Sequence, residues 1–302
     1  MKVAVLFTGL YRSFDITSES IRTNLLEPNN AFSFIFCETS MPLSELKSKC
    51  PSNSRVKCYN GRPKEFCELY TKLINTKPAI QPNKFSRVPF NQSYLWNSGS
   101  IIEYYDYMKC YEMMLEYENE HHMTFDIIIR TRLDIMFAQP FPILPFFTKI
   151  HSDMREITPD YIMNLGNQNM IENSRGNPPH YGHVCKLEAK NFSTEKEVLE
   201  NINTENYIWT LGPNQVWIGR RHVMNKLHRM VYAYGDFDIG SKETFNSETQ
   251  FTQFCKSNNI KHFMYNSRID SKYSPYWSDT CYNRSLLGHE APPDNLLFAI
   301  IR

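Results

Sequence analysis

The stretch Phe125-Asp126-Ile127-Ile128-Ile129-Arg130-Thr131-Arg132-Leu133-Asp134 decides how this chain is read. Three consecutive isoleucines bounded by polar residues predict a short strand buried on both faces, as in a parallel sheet covered by helices. Charge arrives only where the strand ends. Side chains alternate along a strand, so Arg130, Arg132 and Asp134 fall on one face at its carboxyl edge. Two guanidinium groups there suit phosphate oxygens, and a carboxylate beside them suits a hard divalent ion that neutralises a departing diphosphate. The competing reading is a strand-end ion-pair cluster, since charged residues also terminate ordinary buried strands.

Outward from that strand the pattern repeats. Lys2 to Phe7 and Phe32 to Phe36 are further short apolar runs, with a helix predicted over Ile16 to Leu26 between them. Arg55 to Tyr59 reads as a third strand, and Pro63 suits the first helical position before Phe66, Leu69, Tyr70, Leu73 and Ile74 repeat at helical spacing. Ser100 followed by Glu103 has the spacing of a capping box that opens a helix to about Tyr117, after a Pro-rich loop from Thr76 to Asn97. Beyond a polar segment, 172–204, expected to be an insertion or flexible lid, Gln215 to Gly219 reads as a strand. Val223, Met224, Leu227, Met230, Val231 and Tyr234 then form a helical stripe. A helix capped by Ser247 and Gln250 precedes a strand over Lys261 to Tyr265. The expected class is α/β: one domain over 1–302, a Rossmann-like half over 1–140 with a mixed central sheet, and an acceptor-binding half over 141–302.

Composition narrows the partners. Lys and Arg number 33 against 32 Asp and Glu, so the formal charge of +1 gives no general attraction to nucleic acid or to an anionic membrane. Any anion site must be local. The five apolar residues Val3 to Phe7 are too few for a signal-peptide core, and Pro142 and Pro145 break the longest later apolar run, so the expectation is a soluble, cytoplasmic protein without a transmembrane segment. Its eight cysteines contain no CxxC pair and are expected as reduced thiols. The sequons at Asn91, Asn191 and Asn283 are then expected to stay unmodified.

The strand quoted above resembles the YDxxIRxRxD strand of a broad group of viral, bacterial and algal glycosyltransferases of the GT-A kind, in which RxRxD stands in place of DxD. Val3 to Phe14, with Thr8-Gly9-Leu10-Tyr11-Arg12-Ser13-Phe14, is similar to their first strand and nucleotide loop. Gly212 to Gly219 and Asn246 to Gln250 are similar to two later motifs, although Asn214 or Gln215 stands where the third motif is usually acidic. The resemblance implies a GT-A-like fold and transfer of a hexosyl or pentosyl group from a nucleotide-diphosphate donor, a UDP-sugar above all, to a glycan or glycoprotein acceptor. It also implies Mn²⁺ or Mg²⁺ held at Asp134, and it admits a virus-encoded enzyme acting in a host cell. Thr8, Gly9, Arg12, Arg130, Arg132 and Asp134 would bind the donor.

The residues themselves support part of this. Gly9 lets backbone N–H groups approach a phosphate closely, and Arg12 can reach a diphosphate from the same loop. Glu248 is the candidate base for an inverting transfer, against the alternative that a carboxylate in a first helical turn only complements the helix dipole. Asp236 and Asp238 form a literal DxD in a Gly-bracketed turn and rank second, as acceptor-binding residues. His262 or His289 is a candidate to complete the metal site, whereas His180, His183 and Cys185 lack a fourth zinc ligand. The rival readings are a non-catalytic nucleotide- or carbohydrate-binding protein of the same fold, and a methyltransferase, which would want more glycines after the first strand.

Overall fold

A computed structural model describes residues 1–76, 98–143, 154–156, 206–211, 216–236, 247–265, 281–282 and 298–301. Its strands are β1 (Val3–Leu10), β2 (Phe32–Glu38), β3 (Ser54–Tyr59), β4 (Ile127–Arg132), β5 (Ile135–Phe137), β6 (Met154–Glu156), β7 (Tyr207–Leu211), β8 (Val216–Arg220), β9 (Lys261–Tyr265), β10 (Cys281–Tyr282) and β11 (Phe298–Ile301). Eight of them form one sheet in the order β3-β2-β1-β4-β8-β7-β9-β6, and β10-β11-β5 form a small second sheet. The first four strands of that order run parallel, as in the first half of a doubly wound fold. β8 is antiparallel to β4 and β7, while β9 returns parallel to β7. The expected α/β class, with a Rossmann-like half and a mixed central sheet, is therefore what the chain adopts. Strands from both expected halves share the sheet.

The core explains the order. β1 is apolar almost throughout, and its alternation sends Val3, Val5 and Phe7 into one cluster and Ala4 and Leu6 into the other. The first cluster is covered by α1 (Phe14–Ile21) and α2 (Leu43–Lys49) through Phe14, Ile21 and Leu46. The second is covered by α3 (Lys64–Thr76), α4 (Ser98–Glu120), α5 (Arg221–Leu227), α6 (Met230–Ala233) and α7 (Ser247–Ser257). A strand buried on both faces can only be central, and β1 lies between β2 and β4. Trp217 of β8 is fully buried among Tyr104, Tyr107 and Phe251.

Several details depart from expectation. The helix predicted over Ile16 to Leu26 starts earlier and changes to a π-helical turn at Arg22–Leu26, followed by a 3₁₀ turn around Pro28. The stripe from Val223 to Tyr234 is buried as expected, but it divides into α5 and α6. α4 begins at Ser98, so Ser100 lies inside it, and the Glu103 carboxylate accepts a hydrogen bond from a strand arginine. Residues 77–97, 172–204 and 212–215 lie outside the described residues. Cys37, Cys110 and Cys255 are buried free thiols, and Cys50, Cys58 and Cys67 are also unpaired. Among the described residues no helix is long and apolar enough to cross a membrane.

Candidate functional site

The chain leaves β1 toward β2 on one side and reaches β4 on the other, so the order reverses at β1. In open α/β sheets a crevice opens at such a point, outside the carboxyl ends of the strands. Here it is a cleft of about 330 Å³, lined by Thr8, Gly9 and Leu10 at the end of β1, by Arg12 just beyond it, and by Arg130 and Arg132 at the end of β4. Its other wall comes from Glu38, Tyr59 and Arg62 at the ends of β2 and β3, with Ile102, Glu103 and Asp106 from α4. Gly9 has φ of 103°, a left-handed conformation that favours glycine, and Arg12 adopts φ of 33° without that advantage. Backbone strain of this kind concentrates at functional loops.

The three charged residues of the strand exit do different things. Arg130 is 1% exposed; its Nε donates to Thr8 Oγ1 at 3.1 Å and its Nη2 to Glu103 Oε1 at 2.7 Å. Its guanidinium lies 4.6 Å from the Trp217 ring centroid, so the buried charge is paired below and beside. Arg132 donates from Nε and Nη2 to the two oxygens of Asp134, at 2.8 and 2.5 Å. Arg12 Nη1 stands 3.6 Å from the same carboxylate, with nearly half of its side chain exposed. Asp134 is 2% exposed and sits behind these guanidinium groups, outside the cleft lining. The turn that carries it is tied to α1, where Thr17 Oγ1 donates to the Leu133 carbonyl.

Asp134 was expected to hold a metal ion. Its carboxylate oxygens are already committed to Arg132 and Arg12, and a divalent cation there would displace those bonds and meet two guanidinium charges. Among the described residues no three His, Cys, Asp or Glu side chains gather as a metal-ligand group. The side chains around Asp134 thus fit an anion held by Arg12 and Arg132, with Asp134 orienting both, better than they fit a cation. His262 is buried in the core with its ring nitrogens bound to Thr210 and Thr252 hydroxyls, and burial pushes its pKa down to about 3. It does not line the cleft. His289, His180, His183, Cys185 and Asp238 lie outside the described residues.

No family model matches the chain. No curated protein matches it either. Among solved structures it is similar to mouse xyloside xylosyltransferase 1 in its apo form, at 12% identity over 99% of this chain and 97% of that one, with a TM-score of 0.37. A likeness that distant carries no argument about the site.

The remaining candidates divide by position. Asp236 is exposed just beyond α6, and its backbone N–H donates to the Ala233 carbonyl. Gln250 is buried, its side-chain oxygen accepting from the Gly235 N–H at 3.0 Å. Glu248 stands in the first turn of α7. Because α7 packs beneath a sheet in which β9, β7, β4 and β1 share one direction, and leads into β9, its first turn comes at the carboxyl edge that also bears the cleft. Sequence reasoning did not assign Glu38, Tyr59, Arg62, Glu103 or Asp106 to the site. The available signal was the Rossmann rule that an acidic residue ending the second strand meets the nucleotide ribose, which points to Glu38.

Proposed function

We propose that the chain is a glycosyltransferase that binds a nucleotide-sugar donor, best a UDP-sugar, in the cleft at the β1–β4 reversal. The observation that carries this reading is the placement of Thr8, Gly9, Arg12, Arg130 and Arg132 together at the carboxyl edge of two adjacent parallel strands. The exposed guanidinium of Arg12 and that of Arg132 meet the diphosphate, backbone N–H groups around Gly9 approach it closely, and Glu38 meets the ribose. Arg130, deeper and paired with Glu103, fixes the floor. In the reaction the bond from the anomeric carbon to the diphosphate oxygen breaks as the acceptor hydroxyl oxygen bonds to that carbon. The hydroxyl proton passes to Glu248 in an inverting transfer, and Arg12 and Arg132 stabilise the departing diphosphate. The acceptor, a glycan or glycoprotein, approaches from the side of α7 and Asp236. No step is assigned to Mn²⁺ or Mg²⁺, because the carboxylate expected to hold the ion is bound to arginine.

The test is ligand-induced thermal stabilisation by UDP and a panel of nucleotide sugars, in wild type and in Arg132→Gln. Stabilisation of wild type that Arg132→Gln loses supports the reading; stabilisation unaffected by that substitution moves the donor site elsewhere. A purely binding role is the second reading, favoured by the commitment of Asp134 to arginine, and it predicts stabilisation without release of nucleoside diphosphate.

A further inference from the structure

The wall built by β2, β3 and α4 contains a carboxyl group for which the donor reading has no use. Asp106 is 2% exposed, lines the cleft, and accepts the Tyr59 hydroxyl at both oxygens, at 2.8 and 3.0 Å. It is faced by Glu38 and Cys37 from β2, by Tyr59 and Arg62 from β3 and its exit, and by Arg130 from β4. Its own helix adds Glu103, Tyr105 and Cys110. Burial raises the two thiols and both phenols, Cys37 to about 12 and Tyr105 to about 12, so they stay neutral and uncharged at physiological pH.

The remaining charges can be counted. Arg12, Arg62, Arg130 and Arg132 stand against Glu38 beside Arg62, Glu103 beside Arg130, and Asp134 beside Arg132 and Arg12. Among the described residues, with Asp106 ionised, the site holds four positive and four negative groups, and the Asp106 carboxylate opposes an incoming anion. With Asp106 protonated these groups are positive by one charge. Desolvation is the largest influence on Asp106 and pushes it up to about 8, which the Tyr59 hydrogen bond and the Arg130 charge only partly offset.

We propose that anion binding in this cleft is linked to protonation of Asp106, so that the Tyr59–Asp106 pair sets the upper pH limit of donor binding. The inference rests on the reading of the cleft as a diphosphate site. An anion beside Asp106 strengthens its hold on a proton, and by linkage a proton on Asp106 strengthens the hold on the anion. Asp106 acts as a positioning residue through the charge of the site. It takes no part in bond making.

The probes are UDP-glucose and sulfate, whose anionic groups keep a fixed charge between pH 6 and 9, so that any proton taken up belongs to the protein. Titration calorimetry at pH 8 in two buffers of different ionisation enthalpy counts that proton. Wild type is expected to take up about half a proton per anion bound, since Asp106 is near its midpoint there. Affinity should fall several-fold from pH 7 to pH 9. Asp106→Asn, a neutral isostere, should abolish the proton uptake and bind several-fold more tightly than wild type at pH 9. Tyr59→Phe removes a hydrogen bond that favours the ionised carboxylate, and should move the loss of affinity to higher pH. Binding of either probe to wild type without proton uptake overturns the inference and leaves the diphosphate reading standing. Failure of both probes to bind at pH 6 overturns both.

Discussion

Asp134 gives both carboxylate oxygens to the guanidinium of Arg132, two residues earlier, and 2% exposure keeps water from competing for them. The carboxylate expected to hold a metal ion is thus paired with arginine, and under the proposed function it anchors the two guanidinium groups that meet the diphosphate. Asp134→Asn removes the carboxylate charge shared by Arg132 and Arg12 and turns an amide N–H toward a guanidinium, so it should destabilise the fold by about 1–3 kcal/mol and raise the donor KM. Thermal melting and donor titration, each with and without EDTA, check this. A variant that melts like wild type and loses only a chelator-sensitive turnover restores the metal-ligand role.

Arg12 separates binding from stability. Its φ of 33° is one that asparagine and glycine adopt more readily than arginine. Arg12→Asn should therefore hold or raise the melting temperature while weakening UDP-glucose binding about tenfold, the scale of one lost hydrogen bond to a charged group. Loss of stability together with unchanged affinity would show that the strained residue serves the fold alone.

His262 makes a prediction about acid. In the unfolded chain it takes up a proton as pH falls through about 6.5, whereas in the fold burial keeps it neutral down to about 3. The unfolded state binds more protons across that window, so stability contributed by neutral His262 is present above about pH 6.5 and is lost progressively toward pH 3. Urea midpoints between pH 7 and pH 4 should fall less steeply in His262→Asn than in wild type. Parallel slopes would mean that the buried imidazole does not govern acid sensitivity.

Glu248 is tested by an isosteric change. As a base it predicts a fall of roughly 10²- to 10⁴-fold in kcat for Glu248→Gln with donor affinity unchanged. A residue that only complements the α7 dipole predicts at most about 1 kcal/mol of lost stability and an intact rate. Unchanged kcat would pass the role to another acceptor-side carboxylate, with Asp236 the described candidate.

What was legible in the sequence follows from how far each signal reaches along the chain. β1 and β4 are visible because a strand buried on both faces must be apolar over its own few residues, and Thr8, Gly9, Arg12, Arg130 and Arg132 follow as their exits. Glu103 and Asp106 were hidden by distance. Glu103 has the local spacing of a capping residue, and only the packing of α4 against β1 and β2 brings it to Arg130 on the neighbouring strand, 27 residues away. Asp106 lies among tyrosines in a buried helix, and its partner Tyr59 is 47 residues earlier at the end of β3. β7 is less visible because it follows a long polar segment, although Tyr-Ile-Trp-Thr-Leu carries strand-forming residues throughout. The role of Asp134 was ambiguous for a different reason. One residue pattern serves a metal ligand and an arginine anchor equally, and only the positions of Arg132 and Arg12 distinguish them.

The central claim is that the cleft at the β1–β4 reversal binds a nucleotide sugar and breaks its glycosyl–diphosphate bond. The direct measurement is release of nucleoside diphosphate from a panel of nucleotide sugars, by wild type and by Arg132→Gln, with and without EDTA. The account predicts slow release from at least one donor, persisting in EDTA and reduced at least tenfold in Arg132→Gln. Absence of release from every donor would contradict bond breaking, and failure of UDP-glucose and sulfate to bind as well would contradict the donor site itself.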